Sequence, residues 1–171
     1  MISTIHYLAM HSADDLVAAP GGEEVEWQCF RNGKVSARFY REVGRDWRWR
    51  DRAGWGEADW KRWSENGAVE TWVGSVDGKE VGYFELARQD DGAVELAFLG
   101  LLPGNLQRGW GKVFLTRAVQ RAWALPGTRR VWLHTCSEDH PAALANYQKR
   151  GFVLERVEQV PVPNANPNAV F

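Results

Sequence analysis

The chain has 171 residues, a formal net charge of −1, 44% hydrophobic residues and 25% charged residues. This length suits a single domain with one core, and the composition is that of an ordinary globular protein. The near-neutral balance gives no indication of a nucleic-acid partner. No apolar run approaches the roughly 18 residues of a membrane span, so a membrane partner is not predicted either.

Targeting and metal signals are also absent from the sequence pattern. The only cysteines, Cys29 and Cys136, are far apart and not in the spacing of metal ligands. Neither a disulfide framework nor a metal site is therefore predicted. Residues 1–10 lack the basic and apolar segments of a signal peptide, so we expect a cytoplasmic protein.

The first 65 residues predict two strands and two helices. The strands are expected at 2–10 and 24–30, separated by a Pro-Gly-Gly break. Apolar residues at helical spacing predict a helix over 34–43. A second, shorter helix is expected over 57–64, ending near an Asn-Gly pair.

Residues 69–102 predict three consecutive antiparallel strands. The strands are expected at 69–76, 80–87 and 93–102. Asp77-Gly78 is a strong two-residue hairpin signal between the first two, and Asp90-Asp91-Gly92 forms a second turn. The third strand is apolar except for Glu95.

The remaining chain alternates helices and strands. A helix is predicted over 109–124, a strand over 130–135, a helix over 141–149 and a strand over 152–160. From residue 69 the order is β-β-β-α-β-α-β, which predicts a mixed sheet of the α/β (α+β) class. We expect one domain over 1–160, followed by a disordered Pro- and Asn-rich tail over 161–171.

A glycine turn joins the third of these strands to the following helix. Gly109 and Gly111 allow the backbone close to a ligand, and the first N–H groups of the helix are unpaired donors. Arg108 and Lys112 add positive charge, so the turn predicts a phosphate site. It matches neither the Walker loop nor the dinucleotide fingerprint, and a purely structural turn remains the alternative.

A second motif follows near the end of the chain. Tyr147 on the helix over 141–149 is followed four and five residues later by Gly151 and Phe152. With the glycine turn and the strand order, this segment resembles the GNAT superfamily of acetyl-CoA-dependent N-acyltransferases over about 69–160. The sequence departs from that family at Leu106, where Arg or Gln is usual, and at His140, where Asn often stands.

The resemblance implies a fold, a co-substrate and its contacts. The fold would be a mostly antiparallel central sheet of six to seven strands with about four helices. The co-substrate would be acetyl-CoA, with no metal. Its pantetheine arm would pair with the main chain near Leu101, as if with an added strand. The implied contact residues are Gly100, Leu101, Leu102, Gln107, Arg108, Gly109, Trp110, Gly111, Lys112, His140 and Tyr147.

Two groups are needed for acetyl transfer to an amine by direct attack: a base for the amine and an acid for the leaving CoA thiolate. The resemblance favours Tyr147 as the acid, because a phenol stays protonated at neutral pH. Glu95 is the predicted base, since a carboxyl group in an apolar strand has a raised pKa. Glu85 and His134 are rivals for that role, or contacts of the acceptor.

The acceptor is expected to be a primary amine of a small molecule or a peptide. Trp47 and Trp49 lie within an Arg-rich stretch that could form an acceptor pocket. Packing is the preferred interpretation for Trp60 and Trp63, and single-stranded nucleic acid is disfavoured by the charge balance. A catalytically silent acyl-CoA-binding module of the same fold is the alternative function. The acyl-chain preference and a homodimer through sheet edges are left open.

Overall fold

The computed structural model describes residues 2–162 as seven strands and four α-helices around one sheet. The strands are β1 (Ile2–Met10), β2 (Glu26–Phe30), β3 (Val69–Val76), β4 (Lys79–Arg88), β5 (Ala93–Leu101), β6 (Arg130–Cys136) and β7 (Val153–Pro161). The helices are α1 (Gly33–Gly44), α2 (Glu57–Ser64), α3 (Trp110–Ala124) and α4 (Ala143–Lys149). The predicted fold class is confirmed. The tail over 161–171 is expected to be disordered, but Pro161 is the last residue of β7; from residue 163 onward the tail lies outside the described residues.

The strand order in the sheet is β2-β3-β4-β5-β6-β1-β7. All neighbours are antiparallel except β5 and β6, which are parallel. The N-terminal strand β1 therefore lies between β6 and β7, far from β2, which follows it in sequence. Sequence patterning identified β1 as a strand but did not predict this position.

The two faces of the sheet carry different helices. Helix α3 packs its apolar stripe, including Phe114 and Leu115, against the buried side chains of Leu8, Phe84 and Leu133. Helices α1 and α2 pack on the other face over β3, β4 and β5. None of the described helices is both long and apolar enough to span a bilayer.

Strands β5 and β6 separate after a short parallel contact. They pair only from Ala93 opposite Arg130 to Glu95 opposite Trp132. Just beyond, the pairing of β5 with β4 shifts register between Leu96 and Phe98, which leaves Ala97 as an extra residue. Such a bulge bends a strand, so β5 diverges from β6 at this point. From Leu96 to Leu101, β5 then has a strand neighbour on one edge only.

Gly151 in the turn between α4 and β7 is required by both conformation and space. Its φ is +105°, and an added Cβ would overlap the carbonyl oxygen of Asp15. Gly127 offers a matched comparison, because its φ is +78° but an added Cβ would have no neighbour within 4 Å.

We expect Gly151→Ala to destabilise the protein more than Gly127→Ala does. The positive φ alone costs about 1–2 kcal/mol for an alanine, and Gly151→Ala adds the overlap with Asp15. Chemical denaturation of both variants measures the difference. Equal losses of unfolding free energy would show that the Asp15 carbonyl oxygen does not lie against Gly151.

Candidate active site

A cavity of about 760 Å³ occupies the separation between β5 and β6. One wall is the stretch of β5 from Leu96 to Leu101, and the other includes His134 and Cys136 of β6. The start of α3 and the helix α4 close one end, and the α1–α2 loop (residues 45–56) lines the other. The cleft is therefore lined by elements from both faces of the sheet.

The start of α3 supplies unpaired backbone donors to the cleft. Gly109, the N-cap, has a φ of 80° and provides no side-chain cap, and the first turn contains no acidic residue. Gln107 also has a positive φ, of 63°, in the same connection. Gly109, Gly111, Gln107 and Lys112 line the cleft. A helix of 15 residues with these features favours a bound anion at its N-terminus.

Three predicted contact residues have side chains outside the cleft. Arg108 is exposed and is not part of the cleft lining. Trp110 packs against the α3 core, and Leu102 packs against the cluster of Phe39 and Tyr83. Contacts of these residues with the co-substrate stay predictions, and for Trp110 and Leu102 they would come from the main chain, because the side chains pack elsewhere.

The free edge of β5 borders the same cleft. Gly100 and Leu101 line it, and their β6-side peptide groups have no strand partner among residues 2–162. An added Cβ at Gly100 would overlap Val43 of α1 and lie 3.5 Å from the Trp49 ring. A larger side chain at this position would have to displace Val43. The free edge of the strand is available to an extended ligand because β6 pairs only as far as Glu95.

Tyr147 projects from α4 into the cleft. Its ring packs edge-on against Phe152 at 6.2 Å between centroids, and the Phe152 N–H donates to the Tyr147 carbonyl oxygen. The hydroxyl group has no hydrogen-bond partner within the described chain. Burial, with a smaller contribution from Asp139, raises the pKa of Tyr147 above its ordinary value. The phenol is thus kept protonated.

Glu95 and His134 form a pair beside the cleft. The Glu95 Oε1 lies 3.9 Å from the His134 Nδ1, and the Asp51 Oδ2 lies 3.9 Å from the His134 Nε2. Burial raises the pKa of the Glu95 carboxyl group, and the nearby His134 and Arg52 partly oppose this shift. His134 lines the cleft, whereas Glu95 lies behind it and does not.

Glu85 is fully buried and has a structural role. Its carboxylate accepts hydrogen bonds from Ser36, Thr71, Arg52 and Trp63, and the Arg52 ion pair measures 3.0 Å. With 0% exposure and four protein donors, it cannot meet a ligand in the cleft. Its prediction as an acceptor contact or a second base is corrected for this reason.

Arg52, the cation of this pair, is enclosed by aromatic rings. Its guanidinium carbon lies 3.9 Å from the Trp63 centroid, 4.4 Å from Phe98, 4.6 Å from Trp55 and 5.6 Å from Trp60. Each ring face attracts the cation. Three of the clustered tryptophans thus pack around one buried arginine, which explains the packing role expected for Trp60 and Trp63.

Trp47 and Trp49 fasten the α1–α2 loop across the cleft. The Trp49 Nε1 donates to the Asp139 Oδ1 at 3.2 Å, and the Trp47 ring packs edge-on against His140 at 4.9 Å. Both tryptophans and His140 line the cleft. Asp139 also accepts from the Thr135 hydroxyl group and the Cys136 N–H. Sequence reasoning missed Asp139 and Arg52, because nothing local distinguishes them from surface charges.

The acetyltransferase (GNAT) family model matches residues 42–152, which include α3, α4 and both walls of the cleft. The chain belongs to the acetyltransferase (GNAT) family. The predicted family and the predicted class of enzyme, an acyltransferase, are confirmed at that level. No curated protein sequence matches the chain.

Solved structures share the GNAT fold at low sequence identity. A GCN5-related N-acetyltransferase from Kribbella flavida is 17% identical (TM-score 0.69, covering 96% of this chain and 60% of that one). A GCN5-related N-acetyltransferase from Sphaerobacter thermophilus is 16% identical (TM-score 0.69, covering 91% of this chain and 50% of that one). An aminoglycoside acetyltransferase from an uncultured soil metagenomic sample is 13% identical (TM-score 0.59, covering 74% of this chain and 87% of that one). The chain thus spans only 50–60% of the first two proteins.

Loss of the Glu85 carboxylate should destabilise this GNAT domain strongly. Glu85→Ala leaves Arg52 buried without its partner, which costs about 3–5 kcal/mol. Glu80→Ala is the control, because Glu80 pairs with Arg38 at the surface, where both side chains are about 40% exposed. Such a pair contributes about 1 kcal/mol or less. Similar losses of unfolding free energy in the two variants would contradict the buried ion pair.

Proposed function

We propose that this protein transfers an acetyl group from acetyl-CoA to a primary amine of a small molecule or peptide. GNAT membership supports acyl transfer in general, and acetyl-CoA is the co-substrate of that family. One observation carries the finer proposal: the cleft between β5 and β6 brings together the α3 N-terminus, the free edge of β5 and Tyr147. We also propose that residues 1–160 act as one acyltransferase domain.

The residues of the cleft fit acetyl-CoA. The N–H groups at the start of α3 and the Lys112 ammonium group suit its pyrophosphate. The unpaired peptide groups near Gly100 and Leu101 suit the amides of its pantetheine arm. When bound, acetyl-CoA supplies an activated acetyl thioester.

Tyr147 is the proposed proton donor. Tyr147 lines the cleft, and its hydroxyl group has no hydrogen-bond partner within residues 2–162 and is kept protonated by burial. As the amine nitrogen forms its bond to the acetyl carbon, the carbon–sulfur bond breaks. Tyr147 then donates its proton to the departing sulfur atom, which makes that sulfur a better leaving group.

Glu95 remains the proposed base, and His134 connects it to the cleft. Since Glu95 does not line the cleft, His134 is the member of the pair that faces the amine. Its Nδ1 lies 3.9 Å from the carboxylate. A carboxyl group with a raised pKa is better matched to accepting a proton near neutral pH than an ordinary glutamate is.

The acceptor reaches the cleft from the face that carries α1 and α2. That side is lined by Trp47 and Trp49 of the α1–α2 loop, by His134, and by Ser3 of β1 and Val160 of β7. The family acts on amine acceptors, as the name of the aminoglycoside acetyltransferase illustrates. Cytoplasmic localisation stays a prediction.

Tyr147→Phe should lower kcat for thiol release from acetyl-CoA at least about tenfold, because the leaving sulfur loses its proton donor. Tyr7→Phe is the matched control, since the Tyr7 hydroxyl group bonds Glu158 and is not part of the cleft lining. A free-thiol assay with acetyl-CoA and a library of amines measures kcat for the wild type and both variants. Unchanged kcat in Tyr147→Phe would remove this residue from the mechanism, and acetyl-CoA binding without thiol release from any amine would favour the silent module.

Glu95→Gln should lower kcat/KM about 100-fold or more and abolish the acidic limb of its pH profile. The base must be deprotonated, so activity is lost as pH falls through the pKa of Glu95. Because burial raises that pKa, the wild-type limb lies at a higher pH than an ordinary glutamate would give. Glu158→Gln, outside the cleft lining, should keep the wild-type profile. An unchanged acidic limb in Glu95→Gln would refute this assignment.

A further inference from the structure

Three residues of the α1–α2 loop are fixed by contacts with the rest of the protein. Trp47 packs on His140, Trp49 donates to Asp139, and Arg52 is paired with Glu85 inside its aromatic rings. These contacts determine the path of the loop along the cleft. Arg48 and Arg50, which lie between them, are therefore held in place without such side-chain contacts of their own.

Arg48 and Arg50 are the cations between these fixed residues. Both are exposed, and both line the cleft. Neither guanidinium group has a hydrogen bond or an ion pair with any side chain among residues 2–162, although Arg38, Arg52, Arg62, Arg121, Arg130 and Arg156 do. Two unpaired arginines beside one cleft leave positive charge available to a ligand.

The backbone at Arg48 is in an unfavourable conformation. Its φ is +53°, in the left-handed region that non-glycine residues avoid. The other two such residues have evident reasons: Asp77 lies in the β3–β4 hairpin turn, and Gln107 lies in the connection to α3. The left-handed residue between Trp47 and Trp49 lets both tryptophans contact the β6–α4 connection while Arg48 remains on the cleft.

The opposite charge lies close by. Asp51 follows Arg50 in the loop and faces His134, whose other nitrogen faces Glu95. This group suits an amine, whereas the planar guanidinium groups suit an oxyanion with two acceptor oxygens. The start of α3 and Lys112 are the groups already proposed for the pyrophosphate of acetyl-CoA. Arg48 and Arg50 instead share their loop with Asp51, on the side from which the acceptor approaches.

We propose that the acceptor carries an oxyanion group, a carboxylate or a phosphate, beside its primary amine, and that Arg48 and Arg50 bind this group. The inference rests on the proposed acetyl transfer and narrows its substrate class to zwitterionic amines. Arg48 and Arg50 act in acceptor recognition and take no part in proton transfer.

Matched amines test the proposal. Glycine is compared with glycinamide, β-alanine with β-alaninamide, and O-phosphoethanolamine with ethanolamine in the thiol-release assay. We expect the anionic member of at least one pair to have a kcat/KM at least about tenfold higher, and the pair that shows it distinguishes carboxylate from phosphate. Equal values, or higher values for every uncharged member, overturn the proposal.

Variants identify the residues responsible. Arg48→Gln and Arg50→Gln should each lower kcat/KM for the preferred anionic amine about tenfold and leave its uncharged counterpart unchanged. Arg45→Gln is the control, because Arg45 is in the same loop but does not line the cleft. An equal loss for both members of a pair would indicate a general effect on the loop and would refute anion recognition.

A binding measurement separates this inference from the proposed reaction. Calorimetric titration of the six compounds into protein saturated with CoA requires no turnover. Tighter binding of an anionic member that is lost in Arg48→Gln supports the inference. It does so even if no amine causes thiol release, a result that would refute the proposed reaction alone. If other amines cause thiol release from acetyl-CoA but the anionic members are neither preferred nor bound, the proposed reaction is supported and the inference is refuted.

Discussion

The buried ion pair between Glu85 of β4 and Arg52 of the α1–α2 loop joins the sheet to the segment that borders the cleft. Burying two charges is costly unless other groups satisfy them. Here Ser36, Thr71 and Trp63 donate hydrogen bonds to the carboxylate, and aromatic rings surround the guanidinium group. These contacts fix one end of the loop, and Trp47 and Trp49 fix the other. The loop can then present Arg48, Arg50 and Asp51 to the cleft without a regular secondary structure of its own.

The cleft itself results from a second constraint, the divergence of β5 from β6. The extra residue Ala97 bends β5 just after its last contact with β6, and the free strand edge borders the resulting space. Helix α3 begins close to the end of β5, so its unpaired N–H groups meet the same space. Gly100 of β5 lies directly against α1, and a larger side chain there would displace Val43. Backbone geometry thus prepares the proposed acetyl-CoA site, and the proposed proton donor and base are side chains, those of Tyr147 and Glu95.

Local signals in the sequence were sufficient for the elements and the family but not for long-range placement. Turn residues such as Asp77-Gly78 and the apolar periodicity of α3 act over a few residues, so the predicted strands and helices agree with the structure. The insertion of β1 between β6 and β7 depends on pairing across more than 120 residues, which no local pattern encodes. The same limit explains why Glu85 was predicted as a base or an acceptor contact. The sequence around an isolated acidic residue in a strand is the same whether its side chain faces a ligand or a buried arginine. The apolar surroundings of Glu95 in the sequence indicated an unusual carboxyl group. Its position behind His134 could not be predicted, because it depends on the register of β5 and β6.

Hydrogen–deuterium exchange with and without acetyl-CoA tests the central claim most directly, namely that the separation of β5 and β6 forms the acetyl-CoA site. Binding should slow the exchange of amides at 98–101 on the free edge of β5 and at 109–113 in the first turn of α3. Alternate amides of β5 face its free edge, and the first N–H groups of α3 have no partner within the helix, so a ligand at these places would shield them. The Leu102 N–H, which donates to the Val81 carbonyl oxygen, is the internal reference that should change least. Protection in both segments is the predicted result. Binding of acetyl-CoA that leaves both segments unprotected, or an absence of binding, would contradict the account.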